Sequence, residues 1–160
     1  MEFAVTLKDI LPAGAPTASK YVVYEYWDGF KSAVVCDEEH PFHVPALALS
    51  PDPAVIVSSF HVFAPVLSNG WALLGETGKF VPASSKRVRR LSLSRDSTSG
   101  TGIDACLVGV EGEQFAVAAR APNGAVLAAD CIFSEGGEGQ VGLHCSAEKC
   151  SCAGPCASVD

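Results

Sequence analysis

A hairpin signal between residues 20 and 36 constrains the fold of this chain more than any other feature. Residues 20–27 are rich in β-branched and aromatic side chains, which suit a half-buried strand. Asp28-Gly29 then supplies a dipeptide that tolerates positive φ in a tight turn, and residues 30–36 predict the returning strand. Antiparallel β-structure is therefore expected in this part of the chain.

Short strand-like segments separated by turn residues continue along the rest of the sequence. The candidate strands are residues 42–49, 54–66, 79–81, 88–95, 103–110, 114–120, 125–133 and 140–145. The composition, with 15 Gly and 10 Pro, provides frequent turns. Residues 71–75 alone resemble a helical turn, which Gly75 and Gly78 stop early. The pattern predicts an all-β fold, an antiparallel β-sandwich of about 8–10 short strands.

The composition changes near residue 146, where Ser, Cys, Ala, Gly and Pro begin to dominate. We therefore predict a β-sandwich domain over residues 1–145 and a flexible, cysteine-rich tail over residues 146–160. Cys145, Cys150, Cys152 and Cys156 supply four sulfurs, the number of ligands that a tetrahedral zinc site needs. Zinc binding, a mobile segment with reactive thiols, and disulfides in an oxidising compartment are all open interpretations of these four residues.

Charge and hydropathy restrict the partners and the compartment. The net charge of −7 argues against a nucleic-acid partner, because such a protein needs a basic face to displace counterions from phosphates. No apolar run reaches the roughly 18 residues of a membrane span, so no membrane association is predicted. The first residues lack the basic segment and the apolar stretch of a secretory signal, and we expect a cytoplasmic location. The count of 7 cysteines leaves at least one without a partner in the chain.

No group of residues in the sequence predicts an active site. The run Asp37-Glu38-Glu39 lies between two predicted strands and fits a solvated loop. His40 and His43 have a spacing that a metal ion can use, but nothing else nearby completes a set of metal ligands. Neither a serine-nucleophile elbow nor a phosphate-binding glycine pattern is present. We predict no catalytic residue and no cofactor, and whether the chain forms part of an enzyme stays open.

Two stretches resemble parts of a known enzyme family. Residues 20–30, Lys-Tyr-Val-Val-Tyr-Glu-Tyr-Trp-Asp-Gly-Phe, resemble the opening of the C-terminal β-sandwich that follows the catalytic barrel in many retaining glycoside hydrolases. Residues 60–75, which include Phe63-Ala64-Pro65, are similar to a region of the raffinose synthase and alkaline α-galactosidase group. A (β/α)8 barrel takes about 250 residues, so the resemblance implies a non-catalytic accessory domain without the family's catalytic acids. A glycosidase barrel or a carbohydrate would then be the partner.

Aromatic residues are the candidates for such a contact. Tyr24, Tyr26 and Trp27 in the first hairpin, and Trp71 after the Asn69-Gly70 turn, are the candidates, because flat aromatic faces can stack on the C–H surfaces of sugars. Each of the four also has a simpler interpretation as sandwich core. Three function classes therefore stay open: an accessory domain of a carbohydrate-active enzyme, a stand-alone carbohydrate-binding module, and a metal- or thiol-binding protein that uses the C-terminal cysteines.

Overall fold

The computed structural model describes residues 3–6, 18–44, 58–79, 82–94, 102–133 and 139–156. Within these ranges the chain is all-β, with twelve strands and one 3-10 helix at Tyr26–Asp28, which confirms the predicted fold class. No helix in the described ranges is long and apolar enough to cross a membrane. The chain divides into two compact units, Met1–Val66 and Leu67–Asp160, which we call the N-terminal and C-terminal units.

The N-terminal unit contains two small antiparallel sheets. Its strands are β1 (Phe3–Val5), β2 (Lys20–Glu25), β3 (Val34–Asp37), β4 (Phe42–Val44) and β5 (His61–Pro65). One sheet has the order β3-β2-β5, and β1 pairs with β4 in the other. The β2–β3 pairing confirms the predicted hairpin, but residues 26–33 connect the strands instead of a tight turn at Asp28-Gly29. Of the predicted strand 42–49, residues 45–49 lie outside the described ranges, as do residues 54–57 of the next one.

Alternate residues of β2 pack on opposite sides of the β3-β2-β5 sheet. Tyr21 and Val23 form a buried cluster with Cys36, and Phe42 and Phe63 pack against this cluster. Val22 and Tyr24, which point the other way, are also buried. Both faces of β2 are therefore covered, and this strand anchors the turn that follows it.

Seven strands build the C-terminal unit as two antiparallel sheets. They are β6 (Ala72–Glu76), β7 (Val88–Leu93), β8 (Ile103–Val108), β9 (Gln114–Arg120), β10 (Val126–Ile132), β11 (Gln140–Cys145) and β12 (Cys150–Ala153). The sheets have the orders β10-β9-β6 and β12-β11-β8-β7. The bounds of β9 and β11 are those predicted. The helical turn predicted at residues 71–75 is wrong, because this segment pairs with β9 as β6 and Gly75, at φ 95°, gives the irregularity in its register.

The core of the C-terminal unit lies between its two sheets. Every second residue of the inner strands points into it, as the strand period requires. The core residues include Trp71, Leu73, Ile103, Ala105, Leu107, Val117, Ala119, Ala129, Cys131, Phe133, Val141, Leu143 and Cys145. Both sheets contribute, so this unit is a face-packed β-sandwich.

The described fold continues past the predicted domain boundary at residue 145. Cys150–Ala153 forms β12, which pairs with β11 at the edge of the four-stranded sheet. Three disulfides fasten this segment to the sandwich: Cys145–Cys150, Cys131–Cys152 and Cys106–Cys156. The small, polar composition predicts a flexible tail over residues 146–160, but strand pairing and covalent links instead fix it as far as Cys156.

Four charged side chains form a cluster in the C-terminal unit. Glu76 is 3% exposed, and its Oε1 lies 2.9 Å from Arg87 Nη2, although this oxygen has no hydrogen bond within the described residues. Arg87 also donates hydrogen bonds to both carboxylate oxygens of Glu113, and Lys79 Nζ lies 3.1 Å from Glu76 Oε2 and 3.1 Å from Glu113 Oε1. The buried carboxylate of Glu76 is thus compensated by two cations.

The same cluster predicts a change in stability at acidic pH. The Arg87 hydrogen bond, followed by that from Lys79, lowers the pKa of Glu113 from 4.5 to about 2. A lowered folded-state pKa stabilises the fold fully above the unfolded value, and that stabilisation is lost as the pH falls from 4.5 towards 2. We expect Glu113→Gln to flatten this part of the profile of unfolding free energy against pH, measured by urea denaturation. Glu148→Gln on an exposed loop is the control, and an equal acid loss in wild type and Glu113→Gln contradicts the prediction.

Candidate functional site

The turn between β2 and β3, residues 26–33, has the most exposed aromatic side chain of the four predicted contact residues. Trp27 is 58% exposed, and its ring centroid lies 4.8 Å from that of Tyr26 in an edge-to-face arrangement. The Tyr26 ring in turn meets Phe60 edge-to-face at 5.9 Å, and Phe60 is 38% exposed. We call Tyr26, Trp27 and Phe60 the aromatic cluster.

Hydrogen bonds within the N-terminal unit hold this turn in place. Tyr26 N donates to the carbonyl oxygen of Phe60 at 2.8 Å, which continues the pairing of β2 with β5. Across the turn, Glu25 N donates to Ser32 Oγ at 2.9 Å, and Ser32 N donates to Asp28 Oδ2 at 2.6 Å. The other Asp28 oxygen, Oδ1, is buried and has no hydrogen-bond partner within the described residues. The cluster is therefore positioned before any ligand arrives, which lowers the entropy cost of binding.

Two successive residues with positive φ reverse the chain within the turn. Gly29 has φ 63°, and Phe30 has φ 72°, a value that an aromatic residue seldom adopts. The Phe30 ring packs edge-to-face on Tyr24 at 4.8 Å, and this contact supports the unusual backbone. Tyr24 itself is 2% exposed, and burial raises the pKa of its hydroxyl. Tyr24 is therefore a core residue rather than a contact residue.

A groove of about 420 Å³ lies beside this turn in the N-terminal unit. We call it the histidine groove. Its lining residues are Glu25, Ser32, Val34, Val35, Cys36, His40, Pro41, Phe42, His43 and His61. Its wall is formed by β2, the turn after it, β3, β5, and β4 with the segment that leads into it.

Apolar and hydrogen-bonding groups alternate along the histidine groove. Phe42 packs on the His61 ring at 4.9 Å, and Glu25 is the cross-strand neighbour of His61. His40 Nδ1 lies 2.9 Å from Asp37 Oδ1, and hydrogen bonds from the side chain and then the backbone of His40 lower the pKa of Asp37. The carboxylate of Asp37 is thus charged at neutral pH beside the groove.

Cys36 is the free cysteine of the chain and lines the same groove. It is 3% exposed, and burial raises the pKa of its thiol, with the charge of Asp37 acting in the same direction. A thiol with a raised pKa is a weak nucleophile at neutral pH. Cys36 therefore acts as a small apolar side chain of the groove wall.

The four cysteines predicted as metal ligands are all in disulfides. Cys145 is bonded to Cys150, and Cys152 and Cys156 are bonded to cysteines of β10 and β8. Zinc binds thiolates, which these sulfurs are not. Across the described ranges no group of three or more His, Cys, Asp and Glu side chains lies close enough to hold a metal ion, and this includes His40 and His43.

Trp71 lies in the core of the C-terminal unit and has 0% exposure. The preceding turn directs it inward, since Leu67 N donates to the Trp71 carbonyl oxygen at 2.7 Å and Asn69 Nδ2 donates to the Gly102 carbonyl oxygen at 2.8 Å. The indole therefore cannot act as a sugar platform. Of the four predicted contact residues, Tyr26 and Trp27 lie in one exposed cluster, while Tyr24 and Trp71 are buried in different units.

The outer face of the four-stranded sheet has a second polar arrangement. His144 Nδ1 lies 2.7 Å from Asp104 Oδ1, and the register places Ser151 of β12 beside His144. The side chains of His144 and Asp104 are each 41% exposed, so water competes for both. We assign a hydrogen-bonded pair of the sheet surface, a contact that contributes little to stability because it is open to water.

Two features of these sites have no signal in the sequence. His61 lies 18 or more residues from the other histidines of the groove and among apolar neighbours, where a core role is the default. Phe60 joins the aromatic cluster only because β5 pairs with β2. The short spacing of His40 and His43 in the sequence was a partial signal for the groove, because it placed these two side chains close together.

Comparisons with known proteins identify no relative. No protein-family model, no curated protein and no solved structure matches this chain. The resemblance of residues 20–30 and 60–75 to glycoside hydrolase accessory domains therefore has no support from these comparisons.

Proposed function

We propose that this chain is a non-catalytic accessory domain that binds carbohydrate through the aromatic cluster. The observation that supports this most strongly is the 58% exposure of Trp27 in a turn fixed by hydrogen bonds. Trp27 adjoins Tyr26, which meets the partly exposed Phe60, and a contiguous apolar patch on the surface is typical of a contact site. The negative face of an indole attracts the weakly positive C–H groups of a pyranose, and hydrogen bonds across the turn hold the backbone on either side of Trp27 in place.

The resemblance to glycoside hydrolases favours one setting for this binding. In that setting the chain is an accessory sandwich of an enzyme similar to the α-galactosidase and raffinose synthase group, and the galactosyl chemistry belongs to a separate barrel. A stand-alone carbohydrate-binding module is the second setting. Both use the same aromatic cluster, so a binding measurement tests both.

The disulfides change the compartment that we propose. Three disulfides are expected in an oxidising environment and are rare in the cytosol. We therefore favour an oxidising compartment over the cytoplasmic location expected from the sequence. Alkylation in denaturant followed by mass spectrometry tests this: we expect one labelled thiol, Cys36, without reduction and 7 after it. Labelling of several C-terminal cysteines in protein taken from its native source contradicts the proposal.

A Trp27→Ala variant should lose carbohydrate binding without losing its fold. Removing an exposed aromatic anchor is expected to weaken binding by about tenfold or more. Stability should stay within about 0.5 kcal/mol, because the side chain is mostly exposed. Affinity electrophoresis in gels that contain galactomannan, xylan, β-glucan or cellulose derivatives measures the binding, and thermal unfolding measures the stability.

Val110→Ala is the matched control for this experiment. Val110 is 72% exposed in the C-terminal unit, and its loss should leave the electrophoretic retardation unchanged. Phe60→Ala should give a partial loss, because Phe60 touches the cluster through Tyr26. Equal retardation of Trp27→Ala and wild type, or no retardation of wild type in any of the gels, overturns the proposed function.

A further inference from the structure

We infer that the histidine groove is the specificity subsite of the proposed carbohydrate surface and takes one neutral pyranose unit of the bound chain. The inference rests on the proposed function, since it assigns a sugar to a groove beside the aromatic cluster. Beyond the proposed function, the inference names a second set of contacting side chains and the class of sugar that they bind. The aromatic cluster alone does not select among sugars, because every pyranose has C–H groups that can stack.

The groove and the aromatic cluster share one structural element. Glu25 lines the groove and is followed directly by Tyr26 of the cluster. Ser32 also lines the groove, and its Oγ accepts the hydrogen bond of Glu25 N at 2.9 Å across the turn. The turn that presents Trp27 is thus also a wall of the groove. A saccharide of a few units that stacks on Trp27 has the groove at the base of the same turn.

The groove lining matches the two kinds of surface on a sugar ring. Val34 and Phe42 provide apolar wall, which suits the C–H face of a pyranose. The Glu25 carboxylate accepts hydrogen bonds from hydroxyl groups, and the imidazoles of His43 and His61 can donate or accept. The volume of about 420 Å³ lies within the range of small-ligand sites, about 300–1,000 Å³.

Carboxylates outnumber lysines around the groove, where Lys20 and the exposed Lys31 of the turn are the lysines described, and this excess favours a neutral sugar. Asp37 is held in its charged form by His40, and Glu38 and Glu39 follow it on an exposed loop. Glu25 adds a carboxylate inside the groove, and Lys20 lies 3.7 Å from Asp37 Oδ2, so this cation is already paired. A uronic acid or a sulfated sugar would meet like charges here. Neutral hexoses and pentoses carry no charge and meet no such repulsion.

The test compares groove variants with the cluster variant on neutral and anionic polysaccharides. Glu25→Gln keeps the shape of the side chain but removes its charge, and His61→Ala removes an imidazole. We expect each to weaken binding of the preferred neutral polysaccharide by about tenfold, the effect of losing one good hydrogen bond to a charged or polar partner. Wild type should not be retarded by polygalacturonate. Thermal unfolding of each variant checks that the unit still folds. If His61→Ala does not fold, the binding of Glu25→Gln alone decides the test.

The outcomes separate this inference from the proposed function. If Trp27→Ala loses binding while Glu25→Gln and His61→Ala bind as wild type does, the groove is not a subsite and the proposed function stands. Preferred binding of polygalacturonate also overturns the inference alone. Absence of wild-type binding to every polysaccharide overturns both.

Discussion

Replacing Arg87 with methionine is expected to lower the free energy of unfolding by about 3 kcal/mol, the lower end of the range for breaking a buried ion pair. The variant leaves Glu76, which is 3% exposed, without the cation 2.9 Å from its Oε1. Lys79 still lies 3.1 Å from Glu76 Oε2, which limits the loss. The guanidinium also lies 5.0 Å from the ring centroid of Phe115 and 5.1 Å from that of Phe133, and these cation–π contacts disappear.

Urea denaturation of Arg87→Met and of Lys86→Met measures this effect against a matched control. Lys86 is the exposed neighbour, and its replacement should change the free energy of unfolding by no more than about 0.5 kcal/mol. A double variant, Glu76→Gln with Arg87→Met, should recover part of the loss, since it removes the uncompensated charge. Equal stabilities of the Arg87→Met and Lys86→Met variants contradict the assignment of this cluster.

Removal of the Cys106–Cys156 disulfide is expected to destabilise the C-terminal unit by about 4 kcal/mol. This is the free-energy equivalent of the entropy that the unfolded chain regains when a loop of this length is no longer closed. The two cysteines are separated by 50 residues in sequence, whereas Cys145 and Cys150 are separated by 5. A short loop restricts the unfolded chain less, so its removal should cost about 2 kcal/mol. The loss of unfolding free energy should therefore increase with the sequence separation of the two bonded cysteines.

Paired alanine variants of each disulfide, compared by urea denaturation, test this ranking. Cys36→Ala is the control for the loss of a buried sulfur outside any disulfide. The Cys106–Cys156 pair should lose the most, and Cys131–Cys152, with a separation of 21, should be intermediate. If the Cys145–Cys150 variant loses as much as the Cys106–Cys156 variant, the disulfides do not act mainly on the unfolded chain.

Local sequence signals predicted most strands of the C-terminal unit correctly. The bounds of β9 and β11 agree with the prediction, because apolar residues bounded by turn residues specify them within a few residues. The segment of β6 was misassigned, since Ala72, Leu73 and Leu74 are also good helix formers. Its strand conformation comes from pairing with β9, whose residues lie 41 to 48 positions further along the chain. β12 was missed for the same reason, since its stability depends on β11 and on disulfides.

The candidate site was predictable only in part. Strand alternation places Tyr24 and Tyr26 on one face and Tyr21 and Trp27 on the other, but β2 ends at Glu25. Tyr24 lies within β2 and is buried. The 3-10 helix that follows does not keep the strand alternation, and Trp27 within it is exposed. Which aromatic residue faces outward is thus set by where the strand stops, and the sequence has no marker for that position. The long-range pairs Arg87–Glu76 and Arg87–Glu113 likewise form only after the sheets assemble.

The central claim is that Trp27 contacts carbohydrate, and the two tryptophans of the chain allow it to be tested directly. Trp71 has 0% exposure and Trp27 has 58%, so acrylamide should quench mainly the emission of Trp27. On addition of a neutral polysaccharide that retards the protein, we predict that this accessible fraction becomes protected from acrylamide, and that Phe60→Ala, which keeps Trp27, shifts the protection to higher polysaccharide concentration. Quenching that is unchanged at saturating polysaccharide would show that Trp27 does not contact the bound carbohydrate.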